Sequence, residues 1–395
     1  MNSWSKRIMI LVTGFYWFSM YTYVPTLAPY AQSLGASYDM VGFILGSYGF
    51  TQVLLRLPVG VFSDAWGRRK LFVIGGIALA VCSSLGMWLV PAVGALLLLR
   101  ASAGVAAAAW VDYTVLYASY FQPKEAPKAI GFINAVCSLG QVAAMLAGGY
   151  VAERFGLTSP FILGAAGGLI GVALSFSVRE EPSAPKPVDT AVMFDVLRDD
   201  NLLRLSGLGV ILQVVTYVTI FGFSPVAAQA IGAGGFELGL LTVAAIVPSI
   251  FASALSGTLF CRRYGERSTL VGGFITMAAS CLVIPFIDNL SWFYLSQAVG
   301  GFGRGLIMPL LMGLSIKNFP DEKRSTAMGI FQAIYGIGMC GGPVLAGLLS
   351  SSFGLAWGFW VTGIVGFAGA GLASWGRYLP LDRGRQEVSP ASPKI

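Results

Sequence analysis

The sequence predicts an all-α integral membrane protein with twelve transmembrane helices, arranged as two similar bundles of six. Three observations predict this class. The 395 residues are 56% hydrophobic and only 11% charged, whereas a soluble globular protein has about 25% charged residues. Twelve long apolar runs follow one another along the chain. The second six runs repeat features of the first six at a nearly constant spacing.

A membrane-spanning helix needs about 20 mostly apolar residues. Twelve runs meet this requirement, and we number them spans 1 to 12. They cover residues 8–34, 41–62, 71–91, 94–121, 129–152, 157–178, 202–231, 238–260, 268–287, 292–316, 325–349 and 354–377. The first run follows Lys6 and Arg7, but it is too long for a signal peptide, so we expect it to remain as span 1.

The basic residues predict how the chain is oriented. With the N-terminus inside, every Lys and Arg outside the spans lies on the inner side except Arg154. Loops near helix ends keep their Lys and Arg in the cytoplasm. The net charge of +7 therefore reflects membrane topology, and no nucleic acid is expected as a partner. Both termini are predicted to be cytoplasmic, in what we expect to be a bacterial cytoplasmic membrane.

The composition also argues against catalysis and metal binding. The chain has no histidine, and its five cysteines follow no CxxC spacing. Neither a nucleophile with an adjacent base nor a phosphate-binding loop is present. We therefore expect no enzymatic activity, no metal and no cofactor.

An internal repeat divides the chain. Gly35 is matched by Gly232 at an offset of 197, and Gly131 is matched by Gly329 at an offset of 198. Because six spans separate the copies, both units cross the membrane in the same sense. The predicted domains are a first bundle at 1–178, a polar cytoplasmic linker at 179–201, a second bundle at 202–378 and a cytoplasmic tail at 379–395.

The loop between spans 2 and 3 carries a motif. It contains Gly60, Asp64, Gly67, Arg68 and Arg69 with Gly-x-x-x-Asp-x-x-Gly-Arg-Arg spacing. Together with the two six-span units, this motif resembles the major facilitator superfamily of secondary transporters, over essentially the whole chain. The family usually has a basic residue where this chain has Ala65, and the second-half copy of the loop lacks the acid.

The resemblance implies a conformational switch at this loop. A carboxylate such as that of Asp64 is favoured near a helix N-terminus. The two arginines are expected to pair with acids nearby, such as Glu125 in the next inner loop. The alternative is that the loop only fixes the topology.

Two further fragments resemble the motifs of proton-coupled drug antiporters. Arg100 is followed four residues later by Gly104 in span 4. In span 11, Gly338, Gly342 and Pro343 follow the antiporter pattern, whereas span 5 lacks its central Gly-Pro. Small residues at this spacing permit close helix packing, and proline permits a bend. Packing alone is the competing explanation.

Four ionisable residues are predicted inside the bilayer: Arg56, Arg100, Asp112 and Arg304. Each costs about 2.5–3.5 kcal/mol on insertion scales, so each is expected to face protein or water. We expect an ion pair between Arg56 and Asp112. Asp112 is alternatively a proton-coupling site, since it is the only acid deep in a span.

The resemblance implies that spans 1, 4, 7 and 10 line a central cavity. Arg304 would favour an anionic group there. For each residue, packing between helices is an equally good explanation. The candidate substrate contacts are Tyr21, Trp110, Tyr113, Tyr117, Asn134, Gln213, Tyr217, Arg304, Gln332 and Tyr335.

The predicted function is secondary active transport by alternating access. The preferred version is a proton-coupled exporter of a small amphipathic or anionic compound, acting as a monomer among membrane lipids. Uptake of a small organic metabolite by symport is the alternative, and a receptor that does not transport is a third possibility.

Overall fold

The computed structural model describes residues 3–122, 125–180 and 190–375. Within these ranges the regular secondary structure is helical, and short turns connect the helices. The predicted all-α class is confirmed. The predicted tail at 379–395 lies outside the described residues, as does most of the linker, residues 181–189.

The first six spans contain two divided helices. Span 1 consists of Ser3–Tyr21 and Val24–Ser33, and span 4 consists of Val93–Ala108 and Trp110–Ser119. The remaining four are Tyr38–Trp66, Arg69–Leu89, Ala126–Phe155 and Ser159–Ser175.

The second six spans follow a short linker helix, Thr190–Leu197. Span 7 is also interrupted, because a π-helical turn at Thr219–Phe223 joins Asp200–Val218 to Ser224–Ala230. Such turns are frequent at functional sites. Spans 8 to 12 are Gly235–Leu255, Cys261–Val283, Leu290–Lys317, Asp321–Phe353 and Leu355–Ser374.

The described helices account for all twelve predicted spans. Ten helical segments are long and apolar enough to cross a membrane, and one of them, residues 235–286, contains both spans 8 and 9. The backbone is non-helical at Gly265, inside the range Cys261–Val283 given for span 9, and the φ of 84° at this glycine is left-handed. Span 6, Ser159–Ser175, is apolar but shorter than the other spans.

Several spans begin earlier than the apolar runs suggested. Span 2 begins at Tyr38 and span 3 at Arg69. The first turn of a helix can be polar, because its backbone N–H groups bond to water or to a capping group outside the hydrocarbon. Hydropathy alone therefore misses these turns.

Two seams join the first six spans, the first half, to the last six, the second half. In one, spans 2 and 11 pack together, and a Cβ built at Gly347 would lie 3.0 Å from the Cα of Gly42. In the other, spans 5 and 8 pack together, and a Cβ built at Gly149 would lie 3.1 Å from the Cα of Gly239. The two seams use residues related by the sequence repeat.

Both seams end in a hydrogen bond at the same face of the molecule. Glu153 Oε2 accepts the backbone N–H of Gly235 at 2.6 Å, and Ser351 Oγ accepts that of Asp39 at 2.8 Å. We call the side with these bonds the seam side, and the side with Arg68 and Arg69 the basic side. On the seam side the halves are tightly packed.

Candidate functional site

Arg100 is positioned by the close approach of spans 2 and 4. Gly104, one turn further along span 4, lies directly against the backbone of Tyr48. This contact places the Arg100 guanidinium carbon 4.2 Å from the centre of the Tyr48 ring. Its Nη1 also donates to the hydroxyl of Tyr23 at 3.2 Å. The glycine of the Arg-x-x-x-Gly motif therefore lets an aromatic face meet a cation.

Arg304 is positioned by glycines in span 10. Its neighbour Gly305 packs on the backbone of Ser249 in span 8, with a built Cβ 2.8 Å from that Cα. The Nη1 of Arg304 consequently donates to Ser249 Oγ at 3.1 Å. Arg304 as a whole residue is half-buried.

Tyrosines lie between the two arginines. The ionisable side chains near Arg304 are Tyr217, Tyr21 and Tyr335. Tyr21 belongs to the first half, so Arg304 acts across the boundary between the halves. The rings of Tyr21 and Phe221 also meet across it, with centroids 5.9 Å apart at 82°. We call this region, where side chains of the two halves meet, the chamber, and its residues are Trp17, Tyr21, Tyr48, Arg100, Tyr217, Phe221, Arg304 and Tyr335.

Aromatic rings continue along the first-half wall of the chamber. Trp17 contacts Tyr21 with centroids 5.4 Å apart, and Trp110 contacts Trp17 at 5.1 Å. Of the predicted residues here, Trp110 is half-buried, whereas Tyr21 and Tyr217 are almost completely buried. Gln213 is also nearly buried, at 6% exposure.

Two predicted substrate contacts are packing residues in this structure. Tyr113 is completely buried, stacks on Tyr16 at 4.5 Å, and donates its hydroxyl proton to Val73 O at 3.0 Å. Tyr117 is buried and packs against Phe121, with centroids 5.2 Å apart.

Asn134 lies on an exposed part of span 5. Its Nδ2 donates to the carbonyl of Ile130 in the same helix at 2.8 Å. The side chain is therefore directed along its own helix in this structure.

The predicted pairing of Arg56 with Asp112 is not what the structure shows. Arg56 Nη1 donates instead to Gln332 Oε1, 2.9 Å away in span 11. The reason is the face of span 2 on which Arg56 lies. Residues 42, 46, 49, 53 and 56 form a stripe at alternating spacings of four and three, and this stripe faces span 11. Gln332 thus belongs to a contact between the halves.

Asp112 lies in the first turn of the second helix of span 4 and is completely buried. A carboxyl group at this position is favoured by the free N–H groups of the helix start. The backbone N–H of Asp112 bonds to the carbonyl of Ala109, at the break itself. This carboxyl group therefore lies at the joint of span 4.

The motif loop between spans 2 and 3 is tied to span 6. Gly67 ends span 2 with a left-handed φ of 62°, and Arg68 is extended before span 3 begins. The carboxylate of Glu180 then accepts the backbone N–H groups of Arg69 at 2.5 Å and Lys70 at 3.0 Å. An acid from the end of span 6 thus caps span 3.

Glu125, the partner that the sequence suggested for the motif arginines, is not the acid at the start of span 3. It precedes span 5 and is exposed, whereas Glu180 reaches the start of span 3, because spans 3 and 6 pack side by side. Asp64 lies in the last turn of span 2, and its side chain lies outside the described part of the structure. Gly60 accepts a hydrogen bond from Ser63 Oγ through its carbonyl at 3.0 Å.

The span 11 motif lies in tight contacts on two sides. Gly338 and Gly342 pack against span 7, where a Cβ built at Gly342 would lie 2.9 Å from the Cα of Val214. The carbonyl of Pro343 contacts Gly42 of span 2. Close packing of this kind is what small residues permit in membranes.

Sequence reasoning missed several residues of the site: Trp17, Tyr23, Tyr48, Glu153, Glu180, Phe221 and Ser249. For Tyr48 a signal was available. It lies in a glycine-rich part of span 2, on a face that meets span 4. Among the described residues, no cluster of three or more metal-ligating side chains occurs.

Comparison with known proteins places the chain in a family. The sequence model of the Major Facilitator Superfamily matches residues 9–224 and again residues 205–394. An MFS-type transporter of Methanocaldococcus jannaschii is 25% identical, covering 84% of this chain and 87% of its own length. The multi-drug resistance efflux pump PmrA of Streptococcus pneumoniae is 23% identical, covering 86% and 88%.

A solved structure shows the same fold. It is a bacterial homologue of the human lysosomal transporter Spinster, in an inward-facing and unoccupied conformation. Its TM-score is 0.80 at 16% identity, over 98% of this chain and 99% of that chain. With the family match across both halves, the conclusion follows that this chain belongs to the Major Facilitator Superfamily and is a multi-pass membrane transporter, not an enzyme.

Proposed function

We propose that this secondary transporter exports a small amphipathic or anionic compound by alternating access, in exchange for protons. The observation that carries the proposal is the chamber between the halves. Its walls come from both halves, and two glycine seams pack the halves tightly on the seam side. Rocking of one half against the other at these seams would expose the chamber to each side in turn.

Asp112 is the proposed proton-coupling group. A buried carboxyl group inside the membrane is a functional candidate by default. Its position at the joint of span 4 supports coupling, because a change of charge there acts on the helix that also carries Arg100. A static structural role is the competing explanation.

Export is preferred over uptake for a specific reason. One relative of this chain is a multidrug efflux pump, and the Arg100–Gly104 motif resembles the drug antiporters. Uptake by proton symport remains the second candidate. We further propose a monomer with the basic side and both termini in the cytoplasm.

Flux into proteoliposomes separates these candidates whatever the orientation of the protein. An antiporter accumulates its substrate on the acidic side of an imposed pH gradient, whereas a symporter accumulates it on the alkaline side. Naphthalenesulfonate and naphthalenesulfonamide serve as a matched anionic and neutral pair of probes, within a wider panel of labelled drugs. Accumulation on the alkaline side would overturn the exporter, and no flux of any compound would overturn the proposed transport.

Asp112→Asn tests the proton site in the same vesicles. We expect loss of accumulation driven by the pH gradient, with exchange of labelled for unlabelled substrate retained, because exchange needs no net proton movement. Arg154→Gln, at the end of span 5, is the control. If the variant still accumulates substrate under the gradient, Asp112 does not couple protons.

The motif loop is proposed as the conformational switch. Asp64→Asn should slow transport while insertion and folding are retained. Unchanged flux in this variant would leave the loop as a topological signal only.

A further inference from the structure

The two arginines of the chamber stand out because of the groups around them. The ionisable neighbours of Arg100 are Tyr23, Tyr48 and Tyr21, and those of Arg304 are also tyrosines. In the described part of the chain, no carboxylate is among these neighbours. A guanidinium remains charged in proteins, so the chamber carries positive charge that its own phenols do not neutralise.

Two buried hydrogen-bond donors of the chamber also lack an acceptor among the described residues. Arg100 is only 4% exposed, and its Nε has no hydrogen-bond partner within the described chain. The indole Nε1 of Trp17, a residue 5% exposed, lacks a partner too. Both atoms are donors without any acceptor capacity. Buried donors of this kind normally have a partner, so the chamber is short of acceptors.

The third observation is the aromatic surface beside these groups. Trp17 lies against Trp110 in the first half, while Tyr217 and Phe221 lie against each other in the second, with centroids 5.2 Å apart. Aromatic rings of both halves thus meet at this boundary, where Tyr21 contacts Phe221, and an aromatic surface suits a planar apolar body. Together, the cations and the rings fit a single ligand that has both a negatively charged group and an apolar body.

We infer that the chamber binds an organic anion: a planar apolar body carrying a carboxylate, sulfonate or phosphate group, with the anionic group on Arg304. This inference rests on the proposed transport function and narrows its substrate class. Arg304 is the direct contact because the residue is only half-buried, whereas Arg100 is buried, and because Ser249 already fixes its guanidinium. Arg100 acts as a fixed cation behind Tyr48 and Tyr21.

The inference also explains why the chamber lacks an acid among these neighbours. A carboxylate beside Arg304 would compete with the anionic group of the ligand. Leaving the charge unpaired makes the ligand itself the counter-ion, which gives selectivity for anions over neutral compounds of the same shape.

The test is equilibrium binding to the full-length purified protein in lipid nanodiscs, followed by quenching of tryptophan fluorescence. The probes are naphthalenesulfonate, which is ionised at every pH used, and its neutral counterpart naphthalenesulfonamide. We expect the sulfonate to bind roughly ten- to a hundredfold more tightly, as a charge-assisted hydrogen bond implies.

Arg304→Gln should remove this preference and leave binding of the sulfonamide unchanged. Arg304→Lys should keep part of it, because the charge remains and the fork of donors is lost. Arg154→Gln removes a cation outside the chamber and should change neither affinity. Thermal unfolding of each variant checks that it is folded.

Equal binding of the two probes by the wild-type protein would overturn the inference, as would an anion preference that survives in Arg304→Gln. Flux measured in parallel keeps the two proposals apart. Binding of the sulfonate without flux of any compound supports the anion site and overturns the exporter. Flux of naphthalenesulfonate that Arg304→Gln leaves unchanged overturns the anion site and supports the transporter.

Discussion

At the scale of single residues, Tyr113 illustrates how burial changes the meaning of a sequence pattern. The sequence placed it, with Trp110 and Tyr117, among the candidate substrate contacts of span 4. Its hydroxyl instead bonds to Val73 O in the neighbouring span 3, at 3.0 Å. Its functional importance should therefore come through stability.

Tyr113→Phe should lower the free energy of unfolding by about 1 kcal/mol, since one buried hydrogen bond is lost. Affinity for naphthalenesulfonate should not change. Denaturant unfolding in detergent and fluorescence quenching measure the two quantities. Tyr217→Phe is the matched control, because that tyrosine lines the chamber. Weaker binding without loss of stability in Tyr113→Phe would return this residue to the substrate site.

Asp195 provides a pH-dependent contact outside the membrane. Lys323 Nζ donates to Asp195 Oδ2 at 2.6 Å, and this hydrogen bond, together with the charge of the lysine, lowers the pKa of the carboxyl group. Because the folded pKa lies below the unfolded value of about 3.9, the contact contributes above that value and is lost as the pH falls through the folded pKa.

Wild-type protein and Asp195→Asn should therefore differ slightly in thermal midpoint between pH 5 and 8, and the difference should disappear in more acidic buffer. The difference should be small because the carboxylate is exposed, and exposed ion pairs contribute little. Thermal unfolding in nanodiscs across this range measures it. A difference in thermal midpoint that grows as the pH falls would contradict the lowered pKa of Asp195.

At the scale of helices, the seams depend on contacts that only small residues allow. Glu153 closes one seam onto the N-terminus of span 8, where the helix dipole favours its negative charge. Ser351 closes the equivalent seam with an uncharged hydroxyl. The two ends of the repeat are therefore unequal in electrostatic strength.

Glu153→Gln should loosen the seam side more than Ser351→Ala does. The readout is labelling of a cysteine introduced at Ala233, a buried residue beside this seam, in a background without native cysteines, by a maleimide that cannot cross the membrane. We expect faster labelling in Glu153→Gln, since a neutral acceptor binds the helix N-terminus less strongly. Equal labelling rates in both variants would show that Glu153 does not hold this seam.

At the scale of the whole molecule, the spans could be predicted because each is a long apolar run, and the repeat could be predicted because its glycines recur at a fixed offset. The partners of individual side chains could not be predicted in this way, because they depend on which face of each helix meets which neighbour. The stripe containing Gly42, Gly46 and Gly49 extends to Arg56. The spacing of these residues could therefore have predicted that Arg56 contacts the same helix as the glycines, span 11. The contact of Glu180 with the start of span 3 could not be predicted from the spacing, because it depends on spans 3 and 6 meeting at their ends.

The unneutralised arginines of the chamber have a consequence for energy coupling. A transporter that carries a monoanion outward moves negative charge with the membrane voltage of a cell whose interior is negative. Each elementary charge contributes about 2.3 kcal/mol per 100 mV. If one proton enters for each anion that leaves, two charges move in the favourable sense, so the voltage contributes about 4.6 kcal/mol per 100 mV.

Export should then respond to voltage even without a pH gradient. A potassium diffusion potential set with valinomycin should drive naphthalenesulfonate toward the positive side of proteoliposomes and leave naphthalenesulfonamide less affected. Flux of the sulfonate that ignores the potential would show that its charge is compensated during transport. For a chamber with permanent cations that binds an anion, the membrane potential therefore drives transport as directly as the proton gradient does.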